Sequence, residues 1–263
     1  MSIPKIIHYC WFGGGKIPDC DKRCIESWRK YCPDYKIIEW NEKNYDVKQI
    51  PYMKEAYDAK RWAFVSDYIR MDLIYRYGGI YMDTDVELIR PLDEMLEYRA
   101  YAGLEAESDC LAFGLGFGSE KGNKILKDLC DYYRTLHFVK EDGTLNLTPN
   151  PIIVTEYLKN KEYELIPGEI GKVDDFTVFP EEYFCPQAFS SGRIQITNKT
   201  YSIHHYHASW QTEAEQRALQ QYRYYTKIFG NYFGELFYQT SKVLRTEGIT
   251  STVKKIIGYL KKN

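Results

Sequence analysis

The 263-residue chain lacks any run of 18 apolar residues, so nothing in it reads as a membrane-spanning helix. Its start, Met-Ser-Ile-Pro-Lys-Ile-Ile, lacks a basic segment followed by a long apolar run, and no N-terminal export signal is expected. It also has no C-x-x-C pair. Cys10, Cys20, Cys24, Cys32, Cys110, Cys130 and Cys185 are an odd number at scattered positions, which argues against a disulfide framework and for reduced thiols in a cytoplasm. Nor is there charge of one sign: the formal net charge of −2 excludes a broad basic surface, so nucleic acid is not an expected partner. No repeat at solenoid periods and no low-complexity segment occurs.

Aromatic residues are abundant instead. With 25 Tyr, 12 Phe and 5 Trp, 16% of the chain is aromatic, which suits the holding of flat, partly polar faces such as bases and sugar rings. Charge is also uneven. From Lys242 onward six Lys and Arg oppose one Glu, an asymmetry of the kind that points to an anionic surface. The length fits one large domain with an appendage, expected as a main domain over 1–210 and a helical extension over 211–263.

Apolar Lys5 to Trp11, bounded by Pro4 and Gly13-Gly14-Gly15, reads as a buried strand feeding a loop. Asp19 is placed to cap a helix to about Tyr31, and Tyr35 to Trp40 reads as a second strand, a β-α-β opening that favours parallel pairing. From Lys60 to Tyr77 the spacing is helical, with Val65, Ile69 and Leu73 on one stripe and Gly78-Gly79 as the stop. Ile80 to Met82 is then a short strand ending at Asp83-Thr84-Asp85, followed by Val86 to Ile89. Further strands are expected at Ala100 to Leu104, Leu111 to Phe117 and Tyr201 to Tyr206. Helices are expected at Asn123 to Leu136, near Thr155, from about Glu213 to Phe229, and between Thr250 and Leu260. The fold class is therefore α/β.

The strongest chemical signal is Asp83 with Asp85. Two carboxylates one residue apart at a strand end can converge on one hard divalent cation, Mn2+ or Mg2+, carrying a diphosphate. A D-x-D triplet alone is common; its place after a helix, a Gly-Gly break and a buried strand sets it at a crevice. Asp67 and Arg70, three apart on one helix face, are either an ordinary ion pair or a donor clamp, Arg70 for a phosphate or carboxylate and Asp67 for sugar hydroxyls. His204, His205 and His207 hold three of only five His, and a neutral imidazole can complete a metal shell. On a strand His205 and His207 point one way and His204 the other. Trp11, before three Gly, is either core or a stacking platform for a base.

In order, Ile3 to Gly13, Ala63-Phe64-Val65-Ser66-Asp67-Tyr68-Ile69-Arg70, Tyr77-Gly78-Gly79-Ile80-Tyr81-Met82-Asp83-Thr84-Asp85 and His204-His205-Tyr206-His207-Ala208-Ser209-Trp210 resemble glycosyltransferase family 32. That family includes capsule and lipopolysaccharide enzymes and, more distantly, the clostridial glucosylating toxins. The resemblance covers residues 3 to about 118 and the histidine segment. It implies a GT-A fold, a Rossmann-like mixed sheet flanked by helices. It further implies a nucleotide-sugar donor, UDP-sugar favoured over GDP-sugar, a divalent metal, and transfer with retention to a glycan or lipid-linked acceptor in bacterial surface polysaccharide synthesis. By position, Trp11 would stack on the base, and Asp67 and Arg70 would hold the sugar. His8, Ala63, Ser66, Tyr81 and Thr84 would line the donor. Asp83 would lie near ribose and metal water, Asp85 and His205 would ligate the metal, and Ser209 and Trp210 would reach the diphosphate. Here Ala208 follows an additional His207 where the family commonly has a small residue, often Gly, before Ser-Trp, which leaves open whether His204 or His205 faces the metal.

Two rivals compete. Asp83-Thr84-Asp85-Val86 also satisfies the D-x-D-x-[T/V] pattern of haloacid dehalogenase-type phosphohydrolases, with Asp174-Asp175 as a late acidic pair and Asp83 as nucleophile. A non-catalytic carbohydrate-binding protein is the other, although it leaves the carboxylates, Arg70 and the histidines together without a role. Val253, Ile256, Ile257 and Leu260, spaced among Lys254, Lys255, Lys261 and Lys262, suggest a peripheral contact with the inner face of a membrane, against the alternative of a solvated or core-docked helix.

Overall fold

The computed structural model describes residues 3–159, 163–165, 168–207 and 213–247. Two compact units divide the chain, one formed by 1–186 with 195–210 and the other by 187–194 with 211–263. The helix expected between Thr250 and Leu260, with its membrane contact, lies outside the described residues.

In the first unit β1 (Ile6–Cys10), α1 (Asp19–Tyr31) and β2 (Lys36–Trp40) form the expected β-α-β opening, and β1 and β2 are parallel, Ile6 opposite Lys36. Asp19 does not cap α1. Pro18 holds the cap position without a side-chain bond, and Asp19 sits in the first turn, where its charge suits the helix dipole. Then come α2 (Pro51–Asp58), begun by a proline at its first position, α3 (Trp62–Tyr77), β3 (Gly79–Tyr81) and β4 (Val86–Leu88). After them follow β5 (Ala100–Leu104), β6 (Leu111–Ala112), β7 (Phe117–Ser119), α4 (Lys124–Tyr133) and α5 (Asn150–Leu158). The unit closes with β8 (Tyr163–Glu164), β9 (Gly171–Val173), β10 (Phe176–Phe179), α6 (Glu181–Phe184) and β11 (Ser202–His204). The expected strand from Leu111 to Phe117 is two strands, because Gly116 with φ 117° breaks the extended backbone between them.

The main sheet runs β2-β1-β3-β7-β5-β10-β9-β8, with β6 beside β5; β1 pairs parallel with β2 and β3, and β10 with β5, whereas β7 runs antiparallel between β3 and β5. It is thus the mixed sheet flanked by helices that the sequence implies. Alternate strand residues feed two cores, Tyr81, Phe117 and Val178 on one face with α2 to α5, and Ile7, Ile80 and Phe179 on the other with Trp28 of α1. Residues 64–74 of α3 are all buried, so this helix has no single apolar stripe and Val65, Ile69 and Leu73 are only part of what it buries. A second, two-stranded sheet pairs β11 with β4, His204 opposite Val86.

In the second unit α7 (Glu213–Glu247) carries one non-helical residue, Gly230 at φ 75°. The helix expected to stop near Phe229 instead turns there and continues.

Candidate active site

Parallel β1 and β3 end at the same sheet edge, with His8 opposite Tyr81, so Trp11 and Asp83 both lie just past the carboxyl ends of neighbouring strands, where α/β sheets open a crevice. The turn that aims β3 is tight. Gly78 and Gly79 have φ of 68° and 104°, and a Cβ on Gly79 would meet the Ile6 carbonyl at 2.7 Å, so only glycine fits.

Asp67 and Arg70 are not the exposed pair an ordinary helix face would carry, since their side chains are only 8% and 7% exposed. The Arg70 guanidinium donates from Nε to the Ser66 carbonyl (3.2 Å), from Nη2 to Ser66 Oγ (2.9 Å) and from Nη1 to Asp83 Oδ2 (3.3 Å). Nη2 also stands 3.3 Å from both Asp67 Oδ1 and Asp83 Oδ1. Tyr81 donates its hydroxyl to Asp83 Oδ1 at 3.1 Å and lays its ring 5.0 Å from the guanidinium. One cation thus ties the helix to the triplet. Burial pushes Asp67 up to about 7 against the pull of Arg70, and burial likewise raises Asp83.

Around Asp85 the second sheet brings in the histidines. His204 Nε2 lies 3.2 Å from Asp85 Oδ1, and the His207 backbone N–H donates to Asp85 Oδ2 at 2.9 Å. Burial works to raise Asp85, but His204 and the His207 N–H outweigh it and hold the carboxyl below its ordinary range. Burial likewise opposes charge on His204, yet Asp85 prevails and raises the imidazole well above its usual value. His205, expected as the metal ligand, pairs with Glu87 Oε2 at 2.8 Å. The antiparallel register accounts for this, because it seats His204 opposite Val86 beside the triplet and turns the next side chain to the other side. The His205 and His207 rings stack at 5.3 Å and 9°, on one side as their spacing implies.

Asp21 was not among the expected site residues. Fully buried, it accepts from Thr84 Oγ1 at 2.8 Å and contacts His207 Nδ1 at 2.8 Å and Cys20 Sγ at 3.4 Å, so it braces the triplet loop and the histidine segment together. Thr84, expected to line the donor, directs its hydroxyl to Asp21 instead. Gly114 was missed as well. Its carbonyl accepts the Asp83 N–H at 2.9 Å, and a Cβ there would overlap Asp83 Oδ2 and meet Arg70 Nη1 at 3.0 Å.

His8, likewise expected at the donor, is fully buried. Its Nδ1 accepts from Trp40 Nε1 at 3.0 Å, which leaves Nε2–H to donate to the Gly78 carbonyl at 3.0 Å, and burial lowers its pKa to about 4. Trp11 is partly exposed, its indole N–H donating to Gly15 at 2.6 Å across the glycine loop. Ala63 is partly exposed and its carbonyl accepts from Ser66 Oγ at 2.7 Å. Ser209 and Trp210 lie outside the described residues. Asp174 and Asp175 turn between β9 and β10, where Asn123 donates to Asp175 at 3.0 Å.

The carboxylates of Asp83 and Asp85 and the His204 imidazole beside Asp85 are donor types that suit a hard divalent cation such as Mn2+ or Mg2+, while among the described residues the group whose ligand atoms all lie within 4.8 Å of one another is Cys20, Asp21 and His207.

The site thus joins a strand-end D-x-D triplet to a buried arginine at the edge of a mixed α/β sheet. Residues 18–101 match the family described as "Glycosyltransferase sugar-binding region containing DXD motif". It is 32% identical over 133 residues to inositol phosphoceramide mannosyltransferase 3 of Schizosaccharomyces pombe, covering 48% of this chain and 35% of that protein. It is 30% identical over 107 residues to a mannosyl phosphorylinositol ceramide synthase of Saccharomyces cerevisiae, covering 38% of this chain and 27% of that protein. The match thus spans about a third or less of these relatives' own length. Among solved structures, the PaToxG glycosyltransferase superposes with a TM-score of 0.46 at 21% identity, covering 60% of this chain and 69% of that one.

Proposed function

We propose that the protein transfers a hexose from a nucleotide-sugar donor to a lipid-linked or glycan acceptor, with retention of anomeric configuration and with a divalent cation at Asp83, Asp85 and His204. The observation that carries this is the buried Asp67–Arg70–Asp83 constellation beside Asp85. Asp67 accepts hydrogen bonds from donor-sugar hydroxyls, and Arg70, clamped by Ser66, presents fixed positive charge next to them. A bound cation supplies neutralisation of the diphosphate that leaves. Because the guanidinium and carboxylates are already in place, they do not reorganise as that charge develops. No carboxylate of this set is singled out as a nucleophile, so the acceptor oxygen forms its bond on the face the diphosphate leaves, passing its proton to a departing phosphate oxygen. Trp11 at the neighbouring strand end is the stacking surface for the base.

The relatives are named for mannosyl transfer to inositol phosphoceramide, which supports a lipid-linked acceptor and keeps a GDP-sugar as the alternative to the favoured UDP-sugar. A place in bacterial surface polysaccharide synthesis, at the cytoplasmic face of the membrane, fits the same chemistry. Among the described residues no helix is long and apolar enough to cross a membrane. The test is a thermal-shift panel of UDP- and GDP-sugars with and without Mn2+, followed by release of nucleoside diphosphate with an acceptor. A ligand at about 100 times its Kd stabilises by about 2.7 kcal/mol, well within reach of the method. Stabilisation by one donor that needs the metal supports the reading. Release of phosphate from phosphomonoesters, with no nucleotide-sugar binding, would overturn it in favour of the phosphohydrolase.

A further inference from the structure

In the unit of 187–194 and 211–263, α7 folds back on itself at Gly230. A Cβ on Gly234 would overlap the Thr226 backbone, Tyr222 and Tyr238 pack edge to face at 5.4 Å, and Phe229 meets Phe237 at 4.5 Å. The two arms are therefore an antiparallel hairpin seated on its smallest residues, with the Thr226 hydroxyl bonded to the Ser190 carbonyl. Its tip is unusual. Between Lys227 and Glu235 the seven residues carry no charge, and Ile228, Phe229, Tyr232 and Phe233 among them are 45–56% exposed. Tyr224 and Phe237 extend the exposed ridge down the arms.

Single apolar side chains are ordinary on a soluble surface, but a contiguous exposed group at the turn of a helical hairpin marks a docking surface. We propose that this tip inserts into the interfacial layer of an anionic bilayer. Phenylalanine and isoleucine favour the acyl boundary and tyrosine the headgroup level, which matches the composition of the tip. Charge selects the lipid. This unit holds ten Lys and Arg against four Glu, while the remainder of the chain holds 25 against 33, so only this unit is drawn to a negative surface. A second copy would instead set the net positive charge of this unit against itself. The hairpin thus supplies the apolar contact, and the basic segment after Lys242 adds electrostatic attraction.

The experiment uses the full chain and vesicles, without donor or metal, so its outcome is independent of the transfer reading. Vesicles of phosphatidylglycerol and phosphatidylethanolamine should sediment the protein and vesicles of phosphatidylcholine should do so far less. Ile228→Ser with Phe233→Ser should weaken that partition roughly tenfold or more, a threshold of only about 1.4 kcal/mol. Far-ultraviolet circular dichroism verifies that the helices persist. A second variant, Phe233→Trp, should shift its emission to the blue on anionic vesicles and be quenched by brominated acyl chains. The proposal is overturned if the parent ignores anionic vesicles, if the double variant sediments like the parent, or if the indole emission gained in the Phe233→Trp variant does not move. It is equally overturned if light scattering shows a dimer that the double variant dissociates.

Discussion

Gly114 and Asp83 stand so close that a methyl group on the first would occupy the place of Oδ2 on the second. The glycine carbonyl also takes the Asp83 N–H, so the strand break between β6 and β7 fixes both the backbone and the carboxylate of the triplet's first acid. Gly114→Ala should therefore drive Asp83 off its bond to Arg70. We expect a loss of roughly 100-fold or more in kcat/KM, about 2.7 kcal/mol of transition-state stabilisation, with a stability cost of about 1–3 kcal/mol. Steady-state kinetics beside a thermal melt separates the two. Unchanged turnover would show that Asp83 need not hold this position.

Because Asp67 and Arg70 are buried together, truncating Arg70 removes the charge partner of both Asp67 and Asp83, at a cost of about 3–5 kcal/mol, whereas truncating Asp67 leaves Arg70 paired with Asp83. Alanine variants therefore confound stability with catalysis. Asp67→Asn and Arg70→Lys keep volume and are the informative pair. Asp67→Asn should stay folded and lose turnover, since an amide accepts with one oxygen only, and Arg70→Lys should fail because a single ammonium cannot serve Ser66 and Asp83 at once. Retained turnover in both folded variants would reduce the pair to a structural brace.

Much of this site is legible in the sequence because its signals are local. Asp67, Arg70, Asp83 and Asp85 sit on a helix and a strand end whose periodicity and Gly-Gly break place them, and the β-α-β opening places Trp11 at the same edge. What escapes is what other elements impose. Asp21 meets Thr84 and His207 across 63 and 186 residues, and in the sequence it looks like any acid in a helix's first turn. That His204 and not His205 lies beside Asp85 rests on the register of β11 against β4, since a one-residue slip would exchange them. Gly114 sits in an apolar run that reads as one continuous strand, and its role emerges only when Asp83 is packed against it.

The bracing role of Asp21 has its own consequence. Groups that hold metal-site ligands from behind typically contribute 10- to 100-fold to metal affinity. Asp21→Asn keeps one acceptor for Thr84 but loses the charge facing His207, so Mn2+-dependent nucleotide binding should weaken roughly tenfold. Metal-independent binding of the nucleotide should change much less. A uniform loss of both, with a melting temperature near that of the parent, would count against the assignment.

His8 makes a pH prediction that tells architecture from donor contact. Burial lowers its pKa from 6.5 to about 4, the Gly78 carbonyl offsetting part of the shift. The fold thus favours the neutral ring. Its stabilisation is complete above about pH 6.5 and is lost as pH falls toward and through about 4. His8→Gln, with no titrating group, should melt lower than the parent at neutral pH, and the gap should narrow on acidification across that window. Nucleotide affinity of the folded variant should match the parent. A gap independent of pH would mean that the ring is not held neutral.

The metal assignment ranks four variants. Asp85 is held ionised by His204 and the His207 N–H, which makes it the acid best prepared to bind a cation directly, whereas Asp83 shares its oxygens with Arg70 and Tyr81. Asp85→Asn should abolish Mn2+-dependent nucleotide binding, because an amide supplies no charge to a cation that bridges a diphosphate. Asp83→Asn should weaken it less. His204→Ala should fall between them, since water can replace one imidazole, and His205→Ala should matter least, because its ring is engaged with Glu87. Calorimetric titration of nucleoside diphosphate into each variant, with and without Mn2+, reads the order directly. If His205→Ala proves worse than His204→Ala, the ligand is the following histidine and the β11 register changes when the metal binds; if the parent binds donor equally without metal, the Asp85 assignment fails altogether.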